Sequence, residues 1–273
     1  MPKFITRTSS VRGKREKNED ACIACKIGDF TFFLAIADGM GGKAGGDIAS
    51  NLVISSVRDY LQSVFENTVT DSDLKIILEK AFLLSQTAVA DNVSLMPELR
   101  GMGTTLSVIL IHNYNYVWGN IGDSRIYLLH GEKVKLITED HTYVADYLKS
   151  GKKELPQNIL SQYNNMVTRI VDGGTDRPDI YPSMKECERL TEGDILLICS
   201  DGLVVDKTSD MSQKLREIIN KKSSLRRIVK KLINWALDNG SDDNVTIVIG
   251  KYGSFRDEDS EEDPKTIRIV LEK

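Results

Sequence analysis

Four strand-length apolar runs follow one another at residues 104–112, 115–121, 124–130 and 133–138, with only short gaps between them. Earlier strand signals lie at 3–9, 20–28 and 30–37, and later ones at 166–171, 180–190, 194–200 and 244–251. Strands in short-looped series, not alternating one for one with helices, argue for antiparallel sheets with helices stacked outside. That is an α+β layering, and it argues against a doubly wound parallel sheet. Helical periodicity fills the first gap twice. One stretch carries Ile48, Leu52, Val53, Val57, Tyr60, Leu61 and Val64, and the other Leu74, Ile77, Leu78, Ala81, Ser85 and Ala88. Two further helices fit 212–220 and 224–238, the latter with Leu225, Ile228, Val229, Leu232, Ile233 and Ala236 on one face. Such stripes are core. Residues 142–165 are polar and read as an irregular surface flap. Residues 253–273, with the acidic run "RDEDSEED", read as a flexible tail after a globular part at 1–252.

Charge and cysteine usage narrow the function. A net charge of −4 without a basic patch or basic tail disfavours nucleic acid and anionic membrane as partners. The opening "MPKFITRTSS" has no signal-peptide core, and the apolar runs are too short to span a bilayer, so a cytoplasmic location is expected. Cys22 and Cys25 form a CxxC on a strand, where residues three apart face opposite sides and make a poor shared site. Cys187 and Cys199 stand singly in other strand runs. Buried free thiols are the expectation for the four. His112, His130 and His141 are the chain's three histidines, and zinc is disfavoured.

The stretch "FTFFLAIADGMGGKAGGDIASNLVISSVRDYL" at 30–61 runs from a strand through a glycine-crowded turn into a helix, a geometry suited to phosphate. The P-loop pattern fails, because Ala44 follows Lys43 and Ala37 stands where its first glycine belongs. Gly39-x-Gly41-x-x-Ala44 fits a loose dinucleotide fingerprint, but Asp59 then falls inside the helix and not at a strand end. Neither reading explains Asp38 at the mouth of the turn, where it repels phosphate.

Other strong strands end or begin in the same way. Asp123 follows "YVWGNIG", Asp201 follows "DILLICS", Asp243 precedes "NVTIVIG", and Glu19-Asp20 opens "ACIACKIG". Each alone reads as a turn-former, but together they place carboxylates at strand ends that can share a cleft. Several carboxylates in one cleft stay ionised only with cations among them, and oxygen ligands without histidine suit Mg²⁺ or Mn²⁺. Gly39 leaves its carbonyl open to the same ion. Two bridged metals can activate water and clamp phosphoryl oxygens, and Arg15 is placed to bind the remaining phosphate oxygens.

The motifs "REKNEDA" (15–21), "ADGMGGKAGG" (37–46), "MGTTLSV" (102–108), "GNIGDSRIY" (119–127), "TEDHT" (138–142), "CSDGL" (199–203) and "SDDNVTIV" (241–248) occur in that order. Together, over residues 3–251, they resemble the metal-dependent type-2C serine/threonine protein phosphatases, particularly bacterial members. The resemblance implies a four-layer α-β-β-α sandwich of two antiparallel sheets flanked by helices, with a dinuclear Mn²⁺ or Mg²⁺ centre in a cleft at one edge. It implies that Asp38 bridges the metals, that the Gly39 carbonyl, Asp201 and Asp243 complete the pair, and that Asp20, beside Glu19, holds a metal-bound water. Asp123 with Asp201 matches a third, weaker metal site, Arg15 the phosphate-binding arginine, and residues 142–165 the flap that shapes substrate access. Catalytic roles then fall to Arg15, Asp38 and Asp201, and substrate contact to Arg15 and Lys43. Met40 departs from the histidine of animal members, and Lys43 from the histidine common in bacterial ones. The implied partners are phosphorylated proteins, targets of a serine/threonine kinase, met by a monomer. A non-catalytic module of the same fold and a dinucleotide-dependent oxidoreductase are the competing readings.

Overall fold

The computed structural model describes residues 3–40, 45–65, 69–150, 163, 165–174, 183–184, 187–206, 211–219 and 223–253. Two antiparallel sheets form its centre. The first has the order β1-β12-β11-β7-β8, from β1 (Lys3–Val11), β12 (Val245–Gly253), β11 (Ile195–Cys199), β7 (Arg125–His130) and β8 (Lys133–Leu136). The second has the order β10-β6-β5-β3-β2, from β10 (Glu188–Arg189), β6 (Asn115–Ile121), β5 (Leu106–His112), β3 (Thr31–Met40) and β2 (Asp20–Gly28). Two short strands join it at the side, β4 (Gly103–Thr104) on β3 and β9 (Ser183–Met184) on β6.

Period-two alternation sends each strand's side chains into two different cores. On β3, Phe33, Ala35 and Ala37 face helices α1 (Gly46–Phe65) and α2 (Leu74–Leu95), while Leu34 and Ile36 face the other sheet. On β11 and β12, Leu196, Ile198 and Val248 face the second sheet. Leu197, Cys199, Ile247 and Ile249 face helices α4 (Ser212–Ile218) and α5 (Leu225–Asp238). Three hydrophobic layers therefore separate four layers of structure: helices, sheet, sheet, helices. The α-β-β-α sandwich expected from the motifs is the fold found.

The same alternation separates the CxxC. Cys22 lies between the sheets and Cys25 packs on the helix side. Cys199 is buried, but Cys187 is exposed, against expectation, because it lies just outside β10 and not within a strand. Other expectations also need correction. Ile48 is 42% exposed, and the inner face of α2 runs to Phe82, Gln86 and Val89 and not to Ala88. Residues 166–171 form only single bridges, Thr142 to Val167 and Thr104 to Val171, and no strand.

The flap also begins with more order than its polar composition suggests. Helix α3 (Tyr143–Lys149) is started by Thr142, whose Oγ1 accepts the Ala145 N–H at 3.2 Å. Its two legs are joined: Tyr143 N donates to the Met166 carbonyl at 2.9 Å, and Thr168 N to that of His141 at 2.8 Å. Residues 151–162 and 164 of the flap, the turn residues 41–44 and the tail residues 254–273 lie outside the described residues. Among the described residues, no helix is long and apolar enough to cross a membrane.

Candidate active site

Strand register assembles the site before any side-chain contact does. Asp20 and Asp38 are direct partners across the antiparallel β2–β3 pair. By alternation they share the face of Cys22, Leu34 and Ile36, so both point into the space between the sheets, at its edge. From the other sheet, Ser200 continues the inward face of Ile198, and Thr246 that of Val248. They meet Asp20 directly: Ser200 Oγ donates to its Oδ2 at 3.0 Å and Thr246 Oγ1 at 2.5 Å. Asp20 is thereby buried, and its other oxygen, Oδ1, has no hydrogen-bond partner.

The remaining acids arrive on turns. Asp201 opens the short turn Asp201–Leu203 after β11, Asp243 precedes β12, and the buried Asp123 lies between β6 and β7. These acids act on one another. Burial first, then the charges of Asp20, Asp201, Asp123 and Asp243, push the Asp38 carboxyl well above the usual carboxylate range. Burial also raises Asp20, to about 7. The hydrogen bonds from Thr246 and Ser200 oppose that rise, and the charges of Asp201 and Asp243 add to it. Glu19 is raised by burial and then by Asp47.

Backbone crowding explains the glycines. A Cβ on Gly39 would lie 2.2 Å from the Gly46 carbonyl oxygen and 2.6 Å from that of Glu19. A Cβ on Gly202 would lie 1.9 Å from the Asn244 carbonyl oxygen. At Gly39, three chain segments thus cross without room for a side chain. Thr105 N and Thr104 Oγ1 both donate to the Asp38 carbonyl at 2.9 Å, and Thr105 Oγ1 accepts the Asp38 N–H at 2.9 Å. That accounts for the paired threonines of "MGTTLSV". The Asp123 turn is held at Gly122, whose N–H donates to His141 Nδ1 at 3.1 Å and whose carbonyl accepts the His141 N–H at 3.0 Å. Burial, together with the positive charge of Arg169, lowers the His141 imidazole to about 4, so the ring is a neutral acceptor at ordinary pH.

Arg15 lies on the loop between β1 and β2, half exposed, with Nη2 donating to Asp243 Oδ2 at 2.7 Å and Nε to the Asp242 carbonyl at 3.2 Å. It therefore reaches the carboxylate group from its rim. Lys43 falls among the residues outside the description.

The donor set fits a hard divalent ion: carboxylate oxygens from both sheets, a buried Asp20 oxygen without a partner, and charges that raise one another's proton affinity. The carboxylates share one field without closing into a cage. Among the described residues, no three His, Cys, Asp or Glu side chains stand in ion-holding geometry. The positions of the aspartates are set by strands and turns.

Sequence reasoning missed the groups that hold the acids in place: Ser200, Thr246, Thr104, Thr105, His141 and Asn244. The signal for Ser200, Thr246, His141 and Asn244 was their position inside the motifs, one to three residues from an aspartate; Thr104 and Thr105 had only their place in "MGTTLSV".

A two-sheet sandwich with aspartates from both sheets at one edge is the architecture of the type-2C class that the motifs implied. The protein phosphatase 2C family model matches residues 7–246, and the chain belongs to that family. The serine/threonine protein phosphatase PstP of Mycobacterium tuberculosis is 33% identical over 238 residues, which are 86% of this chain and 42% of PstP. The chain thus spans less than half of that relative's length. Protein phosphatase PhpP of Streptococcus pneumoniae is 29% identical over 264 residues, 94% of this chain and 99% of PhpP. The catalytic domain of PstP, solved in complex with two manganese ions, matches with a TM-score of 0.75 at 31% identity. That match covers 93% of this chain and 100% of the domain.

Proposed function

We propose that this chain is a metal-dependent protein phosphatase that hydrolyses phosphoserine and phosphothreonine, with water as nucleophile and no covalent enzyme intermediate. The observation that carries the reading is the convergence of Asp20, Asp38, Asp123, Asp201 and Asp243 in one electrostatic field, with Arg15 at its rim. Asp38, the Gly39 carbonyl, Asp201 and Asp243 would hold two Mn²⁺ or Mg²⁺ ions, with Asp20 beside them, and Asp123 with Asp201 a third. Bound there, the ions supply water activation and neutralise phosphoryl charge. The manganese in the PstP structure supports this choice of metal.

The chain's own groups do the rest. Ser200 and Thr246 lock the Asp20 carboxylate so that Oδ1 faces the cleft. Arg15 turns its planar guanidinium from Asp243 to the phosphate oxygens and orients the phosphorus for in-line attack. The bond from phosphorus to the seryl or threonyl oxygen breaks, giving inorganic phosphate and a free hydroxyl. Lys43 is assigned a contact with substrate or solvent. The substrates on this reading are targets of a serine/threonine kinase, and the chain acts as a cytoplasmic monomer.

The test is phosphate release from p-nitrophenyl phosphate and from a phosphothreonine peptide, with Mn²⁺ and then with chelator. Release that depends on Mn²⁺ is expected for both. A chain that binds Mn²⁺ and releases no phosphate from either would be the non-catalytic module.

A further inference from the structure

The geometry assigns Asn244 as the residue that positions Arg15, and this assignment rests on the reading of Arg15 as the phosphate clamp. Asn244 follows Asp243 at the entry to β12 and is 5% exposed. Its side-chain hydrogen bonds go to backbone groups and not to a carboxylate. It turns into the loop between β1 and β2, where Nδ2 donates to the carbonyls of Arg12 at 2.8 Å and Lys17 at 2.9 Å. Its Oδ1 accepts the Glu19 N–H at 2.9 Å.

These three bonds fall at the beginning, near the end and at the last residue of a segment from Arg12 to Glu19, with Arg15 between them. An amide is the one small neutral side chain that offers two donors and an acceptor in a plane. The amide that reaches both carbonyls is buried, so removing it takes away the donor that ties the two ends of the segment to the β12 entry. Two further features seat the same loop on the same strand entry. A Cβ on Gly13, whose φ is +62°, would lie 2.1 Å from the Asp243 carbonyl oxygen, so the loop backbone presses against that peptide. Asn18 Nδ2 donates to Ser10 Oγ at 2.8 Å and its Oδ1 accepts the Asp20 N–H at 3.2 Å, which fixes the exit into β2.

Asn244 therefore acts on the phosphate through a loop. It sets the height and direction from which the Arg15 side chain leaves the backbone, while the neighbouring Asp243 serves the metal. The two residues "DN" divide one turn between ion and substrate. A side chain as long and mobile as arginine is useful as a clamp only if its backbone is fixed, because a misplacement of about 1 Å is enough to cost large factors in rate.

The test uses the full chain with Mn²⁺ and p-nitrophenyl phosphate. Asn244→Leu keeps the branched shape and heavy-atom count and removes both donors and the acceptor. The expected result is a KM raised about tenfold with kcat changed less than about threefold, since binding of the phosphate is what the loop supports. In an Arg15→Ala background the same substitution should change KM less than about twofold, because residues acting as one unit are not additive. Mn²⁺ affinity should be unchanged, and amide exchange across residues 12–19 should accelerate. Should Asn244→Leu fail to fold, Asn244→Ala removes the same three bonds without adding charge and is read in the same way. Equal losses in the two backgrounds, a weakened Mn²⁺ affinity, or unchanged exchange at 12–19 would each overturn the assignment. A wild-type chain that releases no phosphate overturns the hydrolase reading instead, and the exchange measurement then decides the role of Asn244 by itself.

Discussion

Asp20 makes the stability of the metal-free chain depend on pH in an unusual direction. Its carboxyl is buried between the sheets and raised from 3.8 to about 7, chiefly by burial. An acid with a higher pKa folded than unfolded binds more protons in the folded state. Its stabilising contribution is complete below about 3.8 and is lost as pH rises through about 7. A change from 3.8 to about 7 corresponds to on the order of 4 kcal/mol. Asp38 is raised by the same burial and the same neighbours, so the pair titrates together and shares the effect. Asp20→Asn removes the buried charge and keeps the shape, and the Ser200 and Thr246 hydroxyls can rotate to accept from the new amide. Urea unfolding in EDTA, at steps from pH 4 to pH 8, is the assay. Wild type should lose stability relative to Asp20→Asn as pH rises, with the variant the more stable by up to about 4 kcal/mol at pH 8. A variant less stable than wild type at pH 8, or a difference independent of pH, would refute the account of Asp20 as a strained, buried carboxylate.

Mn²⁺ should relieve that strain: at about 100 times its dissociation constant it should add about 2.7 kcal/mol to wild-type stability, read as a higher Tm than in EDTA. Asp201→Asn should abolish phosphate release and weaken Mn²⁺ binding in calorimetry. Retained turnover would remove Asp201 from the centre. Gly39→Ala puts a methyl 2.2 Å from the Gly46 carbonyl oxygen and should cost more than about 2 kcal/mol in urea unfolding, with loss of turnover. A neutral result there would show that α1 can move away from the turn.

Much of this molecule can be read from its sequence because two periodicities dominate it. The alternation in "FTFFLAIAD" places Asp38 on the inter-sheet face, and the three- and four-residue spacing from Leu225 to Ala236 gives the buried side of α5. Both are local, and local patterns survive into the fold. The flap helix at Tyr143–Lys149 was hidden because seven residues give too little periodicity, and its start depends on one threonine cap. The partners of Asp20 were hidden for another reason. Ser200 and Thr246 lie 180 and 226 residues away, and only the stacking of the sheets shows which hydroxyls meet which acid. Cys187 shows the limit at strand ends, where a shift of one or two residues decides between burial and solvent.

That separation along the chain has a consequence for biosynthesis. β1 pairs with β12, and Oδ2 of Asp20 is held from Thr246, so β1 finds its neighbour only when β12 has been made. On the ribosome, the helices α1 and α2 can pack on the β2–β3 hairpin early, because their contacts are near in sequence. The acids at 20 and 38 would meanwhile stand at an open edge, without their lid of hydroxyls and without Asp201 or Asp243. On the proposed reading, a nascent chain would therefore be inert toward phosphate esters until residue 246 has left the exit tunnel.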